Sequence, residues 1–243
     1  MKIVASDYDG TLFQENGIGI SEEDKNAICK FRTQGGLFGM VTGRDLYASV
    51  PIKKELSGML DFLICSTGAV ACDGEGRILF QHKSSETKAV SDIADFSLKH
   101  NVASFTVINE LTRHHLDIFG KIPHNFSSLK EFNNCTLWFK TIEDAENVEA
   151  YVKESYEDKL TFFRNFECIE ITPLGVTKAV AVKEYTSQFD NPSVYTIGDG
   201  VTDIPMILEF CGFAINNANE KVKKVAKNSC DRVCDLIEYA LNN

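Results

Sequence analysis

A chain of 243 residues, 44% hydrophobic and 25% charged, has the apolar content for one large domain or two smaller ones. Its 25 basic and 35 acidic residues leave a net charge of -10, which excludes a general nucleic-acid or anionic-membrane binder, since both need a positive surface. A small phosphate ligand stays within reach, because one lysine and one metal ion reverse the potential locally.

The eight cysteines, at 29, 65, 72, 135, 168, 211, 230 and 234, form no CxxC pair, and several lie in apolar runs. They read as buried free thiols. Cys230 and Cys234, four apart, are expected to share a helix face, with no two further metal ligands in view. The opening MKIVASDYDG has no secretory apolar region, and no apolar run is long enough to span a bilayer. Free thiols without an export signal point to the cytoplasm.

In chain order, Lys2 to Ser6 reads as a buried strand ending at Asp7 and Asp9. Ser21 is the expected N-cap of a helix with an acidic first turn and an apolar stripe of Ala27, Ile28 and Phe31; Gly35-Gly36 stops it. Leu37 to Val41 and Phe62 to Cys65 are further strands. The rhythm is that of a parallel sheet covered by helices. After about Gln81 the pattern changes: a helix over 86–99, strands at Ser104 to Ile108 and Cys135 to Lys140, a polar loop from Gly120 to Asn134, a helix from Ala145 to Ser155. Leu160 to Phe163 and Glu167 to Ile171 then suggest a hairpin. From Thr177 the first rhythm resumes, with a helix over 177–187, a strand from Ser193 to Ile197, a helix from Ile204 to Phe210 carrying Pro205 in its first turn, and a strand from Phe213 to Ile215. The tail from Asn219 carries helical periodicity, and its basic run Lys221-Val222-Lys223-Lys224 reads as a solvated helix face.

Open parallel sheets bind ligands beyond the carboxyl ends of their strands. Four polar clusters fall there: Asp7-Tyr8-Asp9-Gly10-Thr11, Thr42-Gly43-Arg44, Lys178 at a helix start, and Asp199 with Asp203. Each alone is an ordinary turn or helix entry. Together they fit phosphoryl transfer. Carboxylates supply hard oxygen ligands for magnesium, and the metal offsets the repulsion between an attacking carboxylate and a phosphate dianion. A second aspartate two residues on can carry the leaving-group proton. Lysine and threonine hold phosphoryl oxygens where charge builds up.

The set resembles the haloacid dehalogenase superfamily, and within it the Cof-type sugar-phosphatase-like branch with a large inserted cap. The likeness rests on Asp7-Tyr8-Asp9-Gly10-Thr11-Leu12, on Thr42 before Gly43-Arg44, on Gly175-Val176-Thr177-Lys178, and on Gly198-Asp199-Gly200-Val201-Thr202-Asp203 before Ile204-Pro205-Met206. It implies a doubly wound, Rossmann-like α/β core over 1–81 and 173–243, with an α+β cap over 82–172. It further implies that Asp7 is the nucleophile and Asp9 the general acid/base. Asp7, the backbone carbonyl of Asp9, and Asp199 would bind magnesium, with Asp203 and Thr202 supporting the metal, and Thr42 and Lys178 would hold the phosphoryl group. The expected reaction is hydrolysis of a small phosphate ester, such as a sugar phosphate, through an aspartyl-phosphate.

Several positions depart from the family pattern. Thr202 stands where asparagine is usual, Thr67-Gly68-Ala69 replaces Asn-Gly-Ala, Ala179 replaces a common glycine, and Asn216-Asn217-Ala218 replaces Gly-Asn-Ala. Two other activities share the resemblance. One is a phosphotransferase such as a phosphomutase. The other is a non-catalytic binding protein, against which the intact Asp7 and Asp9 argue. The insert is expected to close over the site and restrict it to small substrates, with Gly43, Arg44, Arg113, His114 and His115 as candidate substrate contacts. The last three could equally be a solvated loop. Trp138 is expected to serve the cap's core or surface.

Overall fold

The computed structural model describes residues 1–14, 19–116 and 126–243, which fall into two units, Met1–Phe80 with Thr177–Asn243 and Gln81–Val176. The first part of the first unit contains β1 (Lys2–Ser6), α1 (Glu22–Thr33), β2 (Leu37–Val41), α2 (Val50–Glu55), β3 (Phe62–Cys65), β4 (Val70–Asp73) and β5 (Ile78–Gln81). The second unit holds α3 (Thr87–Ser97), β6 (Val102–Asn109), β7 (Thr112–His115), β8 (Asn134–Phe139), α4 (Ile142–Tyr156), β9 (Leu160–Asn165) and β10 (Cys168–Pro173). The first unit then resumes with α5 (Lys178–Thr186), β11 (Ser193–Gly198), α6 (Ile204–Glu209), β12 (Cys211–Ile215), α7 (Glu220–Val225), β13 (Asn228–Cys230) and α8 (Val233–Asn242).

The first unit is built on an eight-stranded sheet in the order β13-β12-β11-β1-β2-β3-β4-β5. Pairing is parallel from β13 to β3, and β4 joins β3 antiparallel. Side chains alternate across each strand, so the sheet has two apolar faces. Val4, Phe38, Met40 and Ile197 pack with Ile28 and Phe31 of α1 and Leu236 and Ile237 of α8. Ile3, Ala5, Val41 and Ile64 pack on the other face with Ala181, Val182 and Tyr185 of α5 and Met206 of α6. Helices cover both faces, which is the doubly wound arrangement expected.

The second unit has its own five-stranded sheet, order β7-β6-β8-β10-β9, antiparallel throughout. One face carries Phe105, Val107, Cys135, Leu137, Ile169 and Ile171 against α3 and α4, forming a separate core. β9 and β10 form the expected hairpin. Of the expected loop between Gly120 and Asn134, residues 120–125 lie outside the described residues.

Local signals placed most elements correctly. Ser21 accepts a hydrogen bond from the Asp24 amide as N-cap of α1, and Pro205 sits in the first turn of α6, where its missing N–H costs nothing. The short elements α2, β4 and β5 had no sequence forecast, nor did β13. The tail is not one helix, because Asn228–Cys230 leaves α7 to pair with β12 before α8 begins. Cys230 therefore lies on a strand and Cys234 in α8, so they share no helix face. Trp138 is half-exposed on β8 and belongs to the surface of its unit.

Candidate active site

β1 is flanked by β2 on one side and β11 on the other, and the chain builds outward from it in both directions. That reversal makes the carboxyl ends of β1 and β11 the crevice of the sheet. Asp7 follows β1 directly and donates its N–H to the Ile197 carbonyl of β11 at 3.0 Å. The chain then turns at Gly10, whose φ of +80° favours glycine. Glycine is needed there for space as well: a Cβ would lie 2.6 Å from Asp199 Oδ2. The same turn brings the Thr11 hydroxyl to Asp199 Oδ1, to which it donates at 2.9 Å.

Lys178 opens α5, whose N-cap Thr177 accepts from the Val180 amide. Its ammonium is buried and donates to Asp7 Oδ1 and to Asp203 Oδ1, each at 2.6 Å. Asp203 Oδ2 accepts from the amides of Asp199 at 3.1 Å and Gly200 at 2.9 Å. Both oxygens of Asp203 are thus engaged in tying the Gly198–Asp203 turn to Lys178. Thr202 is buried in the same short helical turn.

Carboxylate oxygens of Asp7, Asp199 and Asp203 lie within 4.8 Å of one another. Three carboxylates share one ammonium, so ionising all of them leaves excess negative charge in a buried place. The titrations follow. Burial, then Asp203, pushes the Asp7 carboxyl well above the ordinary carboxylate value, against the lowering effect of Lys178. Burial and Asp203 raise Asp199 to about 6. Burial alone lowers the Lys178 value, but Asp203 and Asp7 overcome it, and the ammonium stays charged. A buried, all-oxygen cluster short of positive charge is able to coordinate a divalent cation.

At the end of β2, the Thr42 amide donates to the Ile64 carbonyl at 2.8 Å, and the Thr42 hydroxyl accepts from the Arg44 amide at 3.1 Å. That leaves its O–H proton to donate elsewhere. Gly43 lies between the two. Arg44 does not stand alone at the site mouth: its guanidinium grips both carboxylate oxygens of Asp9, Nε to Oδ2 at 2.8 Å and a terminal nitrogen to Oδ1 at 2.5 Å. The loop is held from beneath by Ser66 and Thr67, whose amides donate to the carbonyls of Arg44 and Thr42. Ser66 and Thr67 both have left-handed backbone, φ +53° and +56°. The family's usual asparagine adopts that region readily; a β-branched threonine does so at a cost of roughly 1–2 kcal/mol.

The three candidates of the second unit do not form one cluster, and they lie on a strand rather than a loop. On β7, His114 pairs with Val107 and so shares the face that packs on the helices. Arg113 pairs with Ile108 and His115 with Thr106, on the opposite face, where His115 Nδ1 is 3.0 Å from the Thr106 hydroxyl. That face continues as a cross-strand row of His115, Thr106, Thr136, Glu170 and Phe163. The row was not legible in the sequence, because it depends on the register of five strands. Thr11 and Asp203's part in holding Lys178 were also missed as contacts, although both residues stand inside the recognised motifs.

The fold is shared with several solved structures. A subclass IIB sugar phosphatase, BT4131, superimposes with a TM-score of 0.80 at 21% identity, covering 98% of each chain. A haloacid dehalogenase-like hydrolase from B. subtilis gives 0.84 at 21% identity, covering 98% of this chain and 99% of its own. An uncharacterized protein of Mycoplasma capricolum subsp. capricolum is 26% identical over 265 aligned positions, spanning 97% of this chain and 98% of its own. Residues 4–235 match the haloacid dehalogenase-like hydrolase family as a whole. With its carboxylate cluster at the sheet's switch point and its inserted unit, the chain belongs to that family of haloacid dehalogenase-like hydrolases.

Proposed function

We propose that the protein is a magnesium-dependent phosphatase acting on a small phosphorylated metabolite, a sugar phosphate by preference, through an aspartyl-phosphate on Asp7. The observation that carries this reading is the buried Lys178 held between Asp7 and Asp203, with Asp199 alongside. The description of BT4131 as a sugar phosphatase supports the substrate class.

A carboxylate oxygen of Asp7 attacks phosphorus, and the bond from phosphorus to the ester oxygen breaks. Asp9 delivers its proton to the departing alkoxide. Water then attacks the acyl phosphate, giving its proton to Asp9, and the bond between phosphorus and Asp7 breaks to release inorganic phosphate. Lys178 holds Asp7 in place and offsets charge on the phosphoryl oxygens, to which Thr42 donates its hydroxyl. Asp7, Asp199 and the Asp9 carbonyl would hold magnesium, which would supply further neutralisation of the phosphate dianion. Asp203 keeps Lys178 and the Asp199 backbone in register. Arg113 and His115, from the inserted unit, read the organic part of the ester.

The test is a screen of phosphorylated metabolites with magnesium, wild type beside Asp7→Asn. The expected result is phosphate release by the wild type, none by the variant, and beryllium fluoride captured against Asp7. Near-normal turnover by Asp7→Asn overturns the mechanism. Return of the phosphoryl group to a second substrate hydroxyl, with no phosphate released, identifies a phosphomutase instead.

A further inference from the structure

We infer that Arg44 is a positioning residue for the carboxylate of Asp9, and not primarily a contact to substrate phosphate; this rests on the acid/base role proposed for Asp9. Asp9 stands on a turn, with its side chain 43% exposed. A carboxylate in that setting is free to sample several rotamers, whereas proton transfer needs it within hydrogen-bond reach of one oxygen. Arg44 removes that freedom. Its two nitrogens meet the two oxygens of Asp9 as a planar fork, a geometry that fixes orientation as well as distance.

Arg44 is itself held at both ends. Its amide donates to the Thr42 hydroxyl at 3.1 Å, and its carbonyl accepts from the Ser66 amide at 2.9 Å. Its guanidinium carbon lies 5.1 Å from the centre of the Tyr8 ring, within cation–π range. Tyr8 stands between the two catalytic aspartates, stacks on Phe13 at 5.3 Å and donates its hydroxyl to Glu55 at 3.4 Å. The guanidinium is therefore aimed at Asp9 by a braced aromatic ring on one side and a braced backbone on the other.

Both partners are more than a third exposed, so the pair adds little to folding stability. Its effect falls on catalytic geometry. This predicts a kinetic loss without a matching thermal one. It also predicts that lysine is a poor substitute, since an ammonium keeps the charge but cannot reproduce the fork.

The experiment is a double-mutant cycle on a minimal aryl phosphate with magnesium, comparing Arg44→Ala, Arg44→Lys, Asp9→Asn and the Arg44→Ala/Asp9→Asn pair. Arg44→Ala should lower kcat by up to about 10²-fold, the scale of a misplaced reacting group, with KM and melting temperature little changed. Arg44→Lys should recover little of the loss, and Arg44→Ala should add nothing once Asp9 is asparagine. A loss confined to KM and restored by lysine, or one that multiplies with Asp9→Asn, overturns the inference and makes Arg44 a phosphate contact. Near-normal turnover by Asp9→Asn alone instead overturns the acid/base reading on which the inference rests.

Discussion

Lys178 Nζ lies 2.6 Å from Asp7 Oδ1, although 171 positions separate the two residues in sequence. The ammonium is almost wholly enclosed, and its second partner, Asp203, comes from the turn after β11. One buried cation thus joins the end of β1, the start of α5 and the β11 turn. The orientation of the Asp7 carboxylate and the packing of three elements depend on the same group.

Lys178→Met should for this reason affect folding as well as catalysis. Removing one partner of a buried ion pair leaves unpaired charge, at a cost of roughly 3–5 kcal/mol. Turnover should be lost, and denaturant unfolding should show the midpoint falling. A variant that is inactive but as stable as the wild type within about 1 kcal/mol would show that the pair holds geometry alone.

The carboxylate cluster predicts an unusual pH dependence. Asp199 titrates at about 6 in the folded protein against an ordinary 3.8, and Asp7 is raised as well. The folded state therefore binds more protons than the unfolded chain above the ordinary value. The stability gained is full below that value and is lost as pH rises through about 6. Without divalent cation, the melting temperature should fall between about pH 5 and about pH 7.5, and magnesium should raise it more at the upper pH. Asp199→Asn should flatten the slope. Metal-free stability that climbs across this window would contradict the assignment.

Gly10→Ala tests the close approach of the first motif to Asp199. The added Cβ meets Asp199 Oδ2 at 2.6 Å from a backbone at φ +80°. Either Asp199 or the turn must move. Activity should drop by about 10²-fold or more, and calorimetric magnesium affinity should weaken alongside it. Unchanged magnesium affinity would show that Asp199 does not shape the cation site.

Arg113 and His115 share one face of the second unit's sheet, while His114 shares the packed face. On the proposed reading that they contact the organic part of the ester, Arg113→Ala and His115→Ala should weaken kcat/KM on the preferred metabolite far more than on a minimal aryl phosphate. His114→Ala should instead lower thermal stability. Equal losses on both substrates would remove Arg113 and His115 from substrate reading.

The core's strands and helices were legible because their signals are local. A buried run such as Lys2–Ser6, an N-cap such as Ser21 and a strand-ending Asp7-Tyr8-Asp9-Gly10 each declare themselves within a few residues. The short pieces were not. β13 has three residues and owes its strand conformation to pairing with β12, so the helical pattern around it prevailed in the sequence reading. The same override separated Cys230 from Cys234.

Within the site, the sequence by itself determined that Asp7, Asp9, Thr42, Lys178, Asp199 and Asp203, residue types suited to phosphoryl transfer, stand at or just beyond element ends. Only the tertiary structure decided how they are paired. Sequence spacing says nothing about which oxygen of Asp203 meets Lys178, or that Arg44 crosses 35 positions to hold Asp9. Those pairings arise because the sheet sets the carboxyl ends of β11, β1 and β2 side by side, about 5 Å apart from strand to strand, and α5 starts beside them, so residues distant along the chain become neighbours. The division of β7 into a packed His114 and an opposite-facing Arg113 and His115 has the same origin. Alternation places neighbours on opposite faces, but which face packs is chosen by the helices that cover it.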